Sequence, residues 1–212
     1  MDSESNSEWD ISGVCPPTPK TSGNDAKKRF FIVEELFNTE VSYIKFLLLA
    51  QQIYFMPALR RGILSSTEEE VLKKLSLTEL VNADRAFVQK LREIIENWDE
   101  NKTKVANLFF ETFTDEFVTI YCSYITNYGE VSKWLKGLNA AAKAGTIHPF
   151  LTFLKQQEPL AEQYPLSTLL ITPIQRIPRL VLLLKVSFFK NSKRKNRGKT
   201  KFFIKGTSQK NK

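Results

Sequence analysis

The chain has 212 residues, 42% hydrophobic and 12% aromatic, with a formal net charge of +8. That is enough for one ordinary domain with a packed core. A lone histidine, His148, and two cysteines, Cys15 and Cys122, exclude a histidine-based metal centre or triad and a disulfide framework, and they point to a reducing, intracellular compartment.

Residues 1–28 are rich in Ser, Asn, Asp, Pro and Lys and poor in hydrophobes. Such a composition does not offset the entropy of ordering, so a disordered leader is expected. Its opening, MDSESNSEWD, is acidic and polar, unlike a secretory signal. From Phe30 the pattern changes. Val33, Leu36, Phe37, Val41, Ile44, Leu47 and Leu48 recur at three- and four-residue steps, one face of a long helix ending near Pro57. The run FLLLAQQIYFMPAL inside it is too short and interrupted to span a bilayer. SSTEEEVL reads as a capping box, with Thr67 as cap and Glu70 three residues on. Leu77, Leu80, Val81, Phe87, Val88, Leu91, Ile94, Ile95 and Trp98 then form the clearest helical stripe in the chain.

After the polar break DENK, residues 105–138 are aromatic-rich and helical in period, with Phe109, Phe113, Phe117, Ile120, Tyr121, Tyr124 and Tyr128 on one broad face. Gly145 and Pro149 bracket a turn, and HPFLTFLKQQE reads as a short helix. No alternating strands or hairpin dipeptides interrupt this order. The expected fold is all-α, an elongated bundle of helices packed lengthwise.

No glycine-rich phosphate loop is present, and the acidic pairs Glu34/Glu35 and Asp115/Glu116 read as solvated helix charges. The residues favour an interaction protein over an enzyme with a covalent mechanism. The most informative stretch is LLITPIQRIPRLVLLLK, from Leu169. It sets Gln175 and Arg176 between Pro173 and Pro178, with Arg179 just beyond, inside an apolar helical run. Proline inside a helix costs about 3 kcal/mol and bends the axis. Two readings stay open: a core helix whose polar groups pair with nearby acids, or a partner-binding face on a rigid helix.

LSTLLITPIQRIPRLVLLLK resembles the third conserved region of Dbl-homology domains, the exchange modules of Rho-family guanine nucleotide exchange factors. IVEELFNTEVSYIKFL resembles the first region, and the aromatic segment from Val105 to Leu135 the second. The resemblance spans residues 29–185. It implies a Dbl-homology bundle whose partner is a small GTPase of the Rho/Rac/Cdc42 type. The implied activity is GDP release by displacing switch I and disturbing the Mg²⁺ site, with no covalent step and no cofactor. A non-catalytic helical GTPase-binding or scaffold protein is the alternative.

By the same resemblance, Glu35 contacts switch I, Gln175 faces the switch region and Arg179 meets the GTPase near switch II. Thr172 is a rim contact. Arg176 pairs with an acid inside the bundle, and Thr39 and Glu40 brace the first helix. Leu180 stands where the family usually has Tyr. The family's final helix is not recognisable after Lys185, so the bundle is expected to lack it and to leave apolar faces uncovered.

Residues 186–212 hold ten Lys or Arg and no acid, leaving 21 of the 31 basic residues against all 23 acidic ones in the rest of the chain. The basic character therefore belongs to this tail. Three readings stay open: a basic-aromatic tail that binds anionic lipid or RNA, with nucleic acid the less favoured partner; an inert disordered tail; or a retained intron, which ranks first. The third is motivated by Lys185-Val186-Ser187, which can be encoded by a splice-donor sequence. A cytoplasmic protein, recruited to membranes if the tail binds lipid, is the expected setting.

Overall fold

The computed structural model describes residues 23–103, 105–183 and 185. The leader expected over 1–28 lies outside them up to residue 22, and the basic tail 186–212 lies outside them entirely. Within the described residues every regular element is helical.

α1 spans Asn24–Leu49 and begins directly after Gly23. Residues 24–28, read from composition as leader, are therefore helical. Ala26 is already buried, so packing of the amphipathic face reaches the first turn of the helix. The axis does not stop at Pro57. It passes through a π-helical turn, Ala50–Phe55, into α2, Met56–Arg60. The Met56 N–H bonds back to the Gln51 carbonyl, five residues away. That wider turn takes the chain past a proline that has no N–H to give and whose ring crowds the preceding turn. From Asn24 to Arg60 the axis is roughly 55 Å long.

α3 spans Ser66–Lys73. Its cap is Ser65 rather than Thr67, and the Ser65 N–H donates to the Glu68 carboxylate at 2.9 Å. The box has the expected chemistry two residues earlier, because Ser65 holds the extended backbone that a cap requires. α4, Leu77–Glu96, buries the stripe expected of it.

The aromatic segment forms two helices, not one. α5 is Val105–Thr112 and α6 is Asp115–Lys143. Thr114 leaves the helical conformation to accept the Phe117 N–H, and Asp115 and Glu116 sit in the positively polarised first turn of α6. α6 ends in a Schellman motif, with Thr146 N–H on the Ala141 carbonyl and Gly145 N–H on that of Ala142. Gly145 supplies the positive φ of 99° that this ending needs.

α7, Pro149–Gln157, is capped by His148, whose Nδ1 accepts the Phe150 N–H. α8, Leu166–Leu170, is followed after a break at Ile171 by α9, residues 172–183. Pro173 thus falls in the first turn of α9, where its missing N–H has no helical partner to lose. The span Leu166–Leu183 has the length and mean hydropathy of a membrane-crossing helix. It breaks at Ile171, and its inner side, with Leu169, Leu170, Arg176 and Leu180, is buried in the bundle.

Two core clusters lie in tandem along α1. One gathers Phe30, Val33, Leu36, Phe37 and Ile44 of α1 with Phe87, Leu91 and Ile95 of α4, Leu108 and Phe109 of α5 and Leu180 of α9. The other gathers Leu47, Ala50 and Tyr54 with Leu77, Leu80 and Val81, Tyr121 and Tyr124 of α6, Phe150 of α7, and Leu169 and Leu170 of α8. The N-terminal half of α1 therefore meets the C-terminal half of α4, and the two run antiparallel. α8 and α9 run antiparallel to α1 by the same reasoning. This is the elongated all-α bundle that the periodicity implies. Phe31, Val181 and Leu182 remain exposed.

Candidate functional site

The site is carried by α1 and α9. Arg176 of α9 is buried and donates through Nη1 to the Thr39 hydroxyl at 3.1 Å, while Nη2 pairs with the fully buried Glu40 carboxylate. Thr39 in turn donates to the Leu36 carbonyl at 3.1 Å. Leu180, one turn after Arg176, packs into the cluster of Phe30, Val33 and Phe37. These contacts fix the register of α9 against α1: position 176 lies level with 39 and 40, and positions 179 and 180 lie one turn nearer the start of α1.

Gln175 and Arg179 are both exposed and four residues apart, so they share a face of α9. Glu35 is exposed on α1, one turn before Thr39. The register thus brings the turn of Glu35 level with that of Arg179, and the Arg179 charge is felt at Glu40. An anionic acceptor, an amide and a cation are displayed along one pair of packed helices.

Thr172 is half-buried, and its hydroxyl donates to the Leu169 carbonyl at 2.7 Å, closing the turn between α8 and α9. Two tyrosines brace the approach to that turn. Tyr54 donates to the Tyr164 carbonyl at 2.6 Å and Tyr124 to the Leu170 carbonyl at 2.7 Å. Leu180, 3% exposed, fills apolar space with no need of a hydroxyl.

The sequence reading missed the polar layer behind this surface. Asp84 of α4 is fully buried and accepts from the Tyr121 hydroxyl at 2.8 Å, which lies 3.1 Å from the Tyr43 hydroxyl. The Arg176 guanidinium faces the Tyr43 ring at 5.8 Å. Glu40, Arg176, Tyr43, Tyr121 and Asp84 therefore form one buried chain through α1, α9, α6 and α4. A signal for it was present: Asp84 stands inside the apolar stripe of α4, where an acid is out of place.

Burial pushes the Glu40 carboxyl up to about 7, against the opposing pull of Arg176. Burial, reinforced by the charge on Glu40, pushes Asp84 well above the usual carboxylate range. Burial and the nearby Asp84 likewise raise the Tyr43 and Tyr121 hydroxyls. Among the described residues no group of His, Cys, Asp or Glu is placed to hold a metal ion.

The RhoGEF domain family matches residues 32–202, so the match runs past Lys185 into residues outside the described ones. Human Rho guanine nucleotide exchange factor 17 is 32% identical over 183 residues, covering 80% of this chain and 8% of that protein. Mouse protein ECT2 is 27% identical over 173 residues, covering 80% and 18%. The chain thus spans less than a fifth of the length of either relative.

Among solved structures, the PDZ-RhoGEF DH/PH domains in complex with GTP-γ-S-activated RhoA align with a TM-score of 0.65 at 19% identity, over 77% of this chain and 45% of that one. The DH/PH domains of p115-RhoGEF align with a TM-score of 0.66 at 21% identity, over 81% and 49%. At these identities the likeness is one of fold. The helical order, the paired α1 and α9 and the family match over most of the sequence lead to one conclusion: this chain belongs to the RhoGEF (Dbl-homology) domain family.

Proposed function

We propose that this chain promotes GDP release from a Rho-family small GTPase, using the face formed by Glu35 of α1 and Gln175 and Arg179 of α9. The observation that carries the reading is the exposure of these three residues on two helices whose register is set by the buried Arg176–Glu40 pair. Family membership supports it, as do relatives named as Rho and Rac exchange factors.

The chemistry follows from the side chains. The Glu35 carboxylate accepts hydrogen bonds from backbone N–H groups of a switch segment and holds that segment away from the nucleotide. Arg179 offers a planar fork of donors to an acidic or carbonyl partner, and the Gln175 amide both donates and accepts. No bond is made or broken. The factor binds the distorted, nucleotide-poor state more tightly than the loaded one, and the same coupling makes nucleotide expel the factor. Thr172 contributes as a rim position beside the turn it closes.

Fluorescent GDP release from a Rho/Rac/Cdc42 panel tests the reading. Acceleration on at least one member supports it. Tight binding to a nucleotide-free GTPase without acceleration identifies a scaffold instead. Anionic lipid contact through residues 186–212, and with it membrane recruitment of a cytoplasmic protein, is a separate proposal resting on their ten basic residues. It fails if deleting them leaves binding to phosphatidylserine vesicles unchanged.

A further inference from the structure

The buried chain behind the exchange face contains two carboxyl groups and one contacting guanidinium. Arg176 spends Nη2 on Glu40 and Nη1 on Thr39. Asp84 meets no cation contact: it accepts from the Tyr121 hydroxyl at Oδ1, with the Tyr43 hydroxyl as a second tyrosine donor, and its Oδ2 has no hydrogen-bond partner. Glu40 Oε1 and Arg176 Nε are also buried without a partner, so the Glu40–Arg176 contact has no reserve of hydrogen bonds to hold it. The groups facing Asp84 are Glu40 and Tyr43 from α1, Tyr121 from α6 and Arg176 from α9, with Arg179 acting on Glu40 from further out. Were both carboxyls ionised, the interior would hold a net negative charge, and both would compete for one guanidinium. A fully buried ion without a paired cation is strongly disfavoured. One retained proton resolves the conflict, and it belongs on the group that lacks the cation contact.

We propose that Asp84 is a positioning residue for the exchange face: as a neutral carboxylic acid it leaves Arg176 to Glu40 alone, and its ionisation draws the guanidinium away and shifts the helix that presents Gln175 and Arg179. This rests on the exchange reading for its functional consequence, but not for the protonation state itself. The effect reaches the face through the register of α9, because Arg176 lies one residue from Gln175 and three from Arg179. The raised titration of both carboxyls agrees with the retained proton. As coupled sites, they lose it as a pair.

The test uses the full chain in two measurements. The first follows the Asp84 carboxyl carbon by NMR across pH. It is expected to keep the protonated shift through neutral pH. Titration in the ordinary carboxylate range overturns the proposal whether or not the chain exchanges nucleotide. The second compares GDP release by wild type and Asp84→Asn, with the GTPase's intrinsic release subtracted. Wild-type exchange is expected to fall by about tenfold per pH unit beyond the ionisation, while the permanently neutral and isosteric Asp84→Asn stays active and loses that alkaline limb. Superimposable profiles overturn the proposal. If neither chain releases GDP from any GTPase, the exchange reading fails, and the NMR titration alone decides the state of Asp84.

Discussion

Arg176 and Thr39, 137 positions apart in sequence, meet at 3.1 Å where α9 crosses α1, and the same guanidinium closes on Glu40. This contact decides which residues of α9 point inward and which face solvent, Gln175 and Arg179 of the proposed exchange face among them. Arg176 is 3% exposed while its neighbours Gln175 and Arg179 are open to solvent.

Removing Arg176 leaves Glu40 buried without its counter-charge. Arg176→Met is expected to lower unfolding stability by about 3–5 kcal/mol, read as a shift of the urea midpoint. The double variant Glu40→Leu with Arg176→Met recovers most of that loss, because no ion is left inside. A single variant as stable as wild type would show the pair to be energetically idle.

Glu35 and Arg179 have the opposite character. Both are exposed, so Glu35→Ala and Arg179→Ala are expected to leave the thermal midpoint unchanged. Each is expected to slow GDP release by roughly tenfold or more, about 1.4 kcal/mol of lost transition-state stabilisation. Normal exchange rates in both would move the interface elsewhere on the bundle.

The pH dependence of stability has a definite sign. Glu40 and Asp84 are raised by burial, so between the ordinary carboxylate range and the folded value, about 7 for Glu40, the folded chain holds more protons than the unfolded one. Stability therefore falls as pH rises through this window and levels off above it. Glu68 works in a separate window: its carboxyl is lowered by hydrogen bonds from Ser65, and its contribution is lost only as pH falls below the usual range. Urea midpoints are expected to rise on acidification from neutral pH toward the ordinary carboxylate range, with a flatter dependence in Asp84→Asn. A midpoint that falls throughout that range contradicts the assignment.

Gly145 tests the end of α6. An added Cβ meets nothing within 4 Å, so only its φ of 99° resists substitution. Gly145→Ala is expected to cost about 1 kcal/mol by thermal unfolding, and Gly129→Ala, inside the same helix with equal open space, is expected to stabilise by a similar amount.

Much of the bundle was legible because helical burial repeats at short range. The stripe from Leu77 to Ile95 predicts α4, and the same logic places α1 and α7. Boundaries failed where one side chain redirected the backbone. Thr114 splits the aromatic segment by capping α6, and Ser65 rather than Thr67 starts α3. Pro57 marks an end in the sequence pattern, but a π-helical turn carries the axis past it. At the site, the motif pattern singled out Glu35, Gln175 and Arg179, and the structure leaves all three exposed. The motif pattern is silent on Asp84; its one signal is an acid set inside the apolar stripe of α4.

The sequence by itself determined the helical class, the order of the elements and the family, because periodicity and motif spacing are local properties of the chain. Only the tertiary structure decided which acid Arg176 meets, how α9 is set against α1, and that a second buried carboxyl on α4 shares that interior. Those are relations between residues far apart in sequence, fixed by packing two apolar clusters along one long helix and by the need to balance charge where water is excluded.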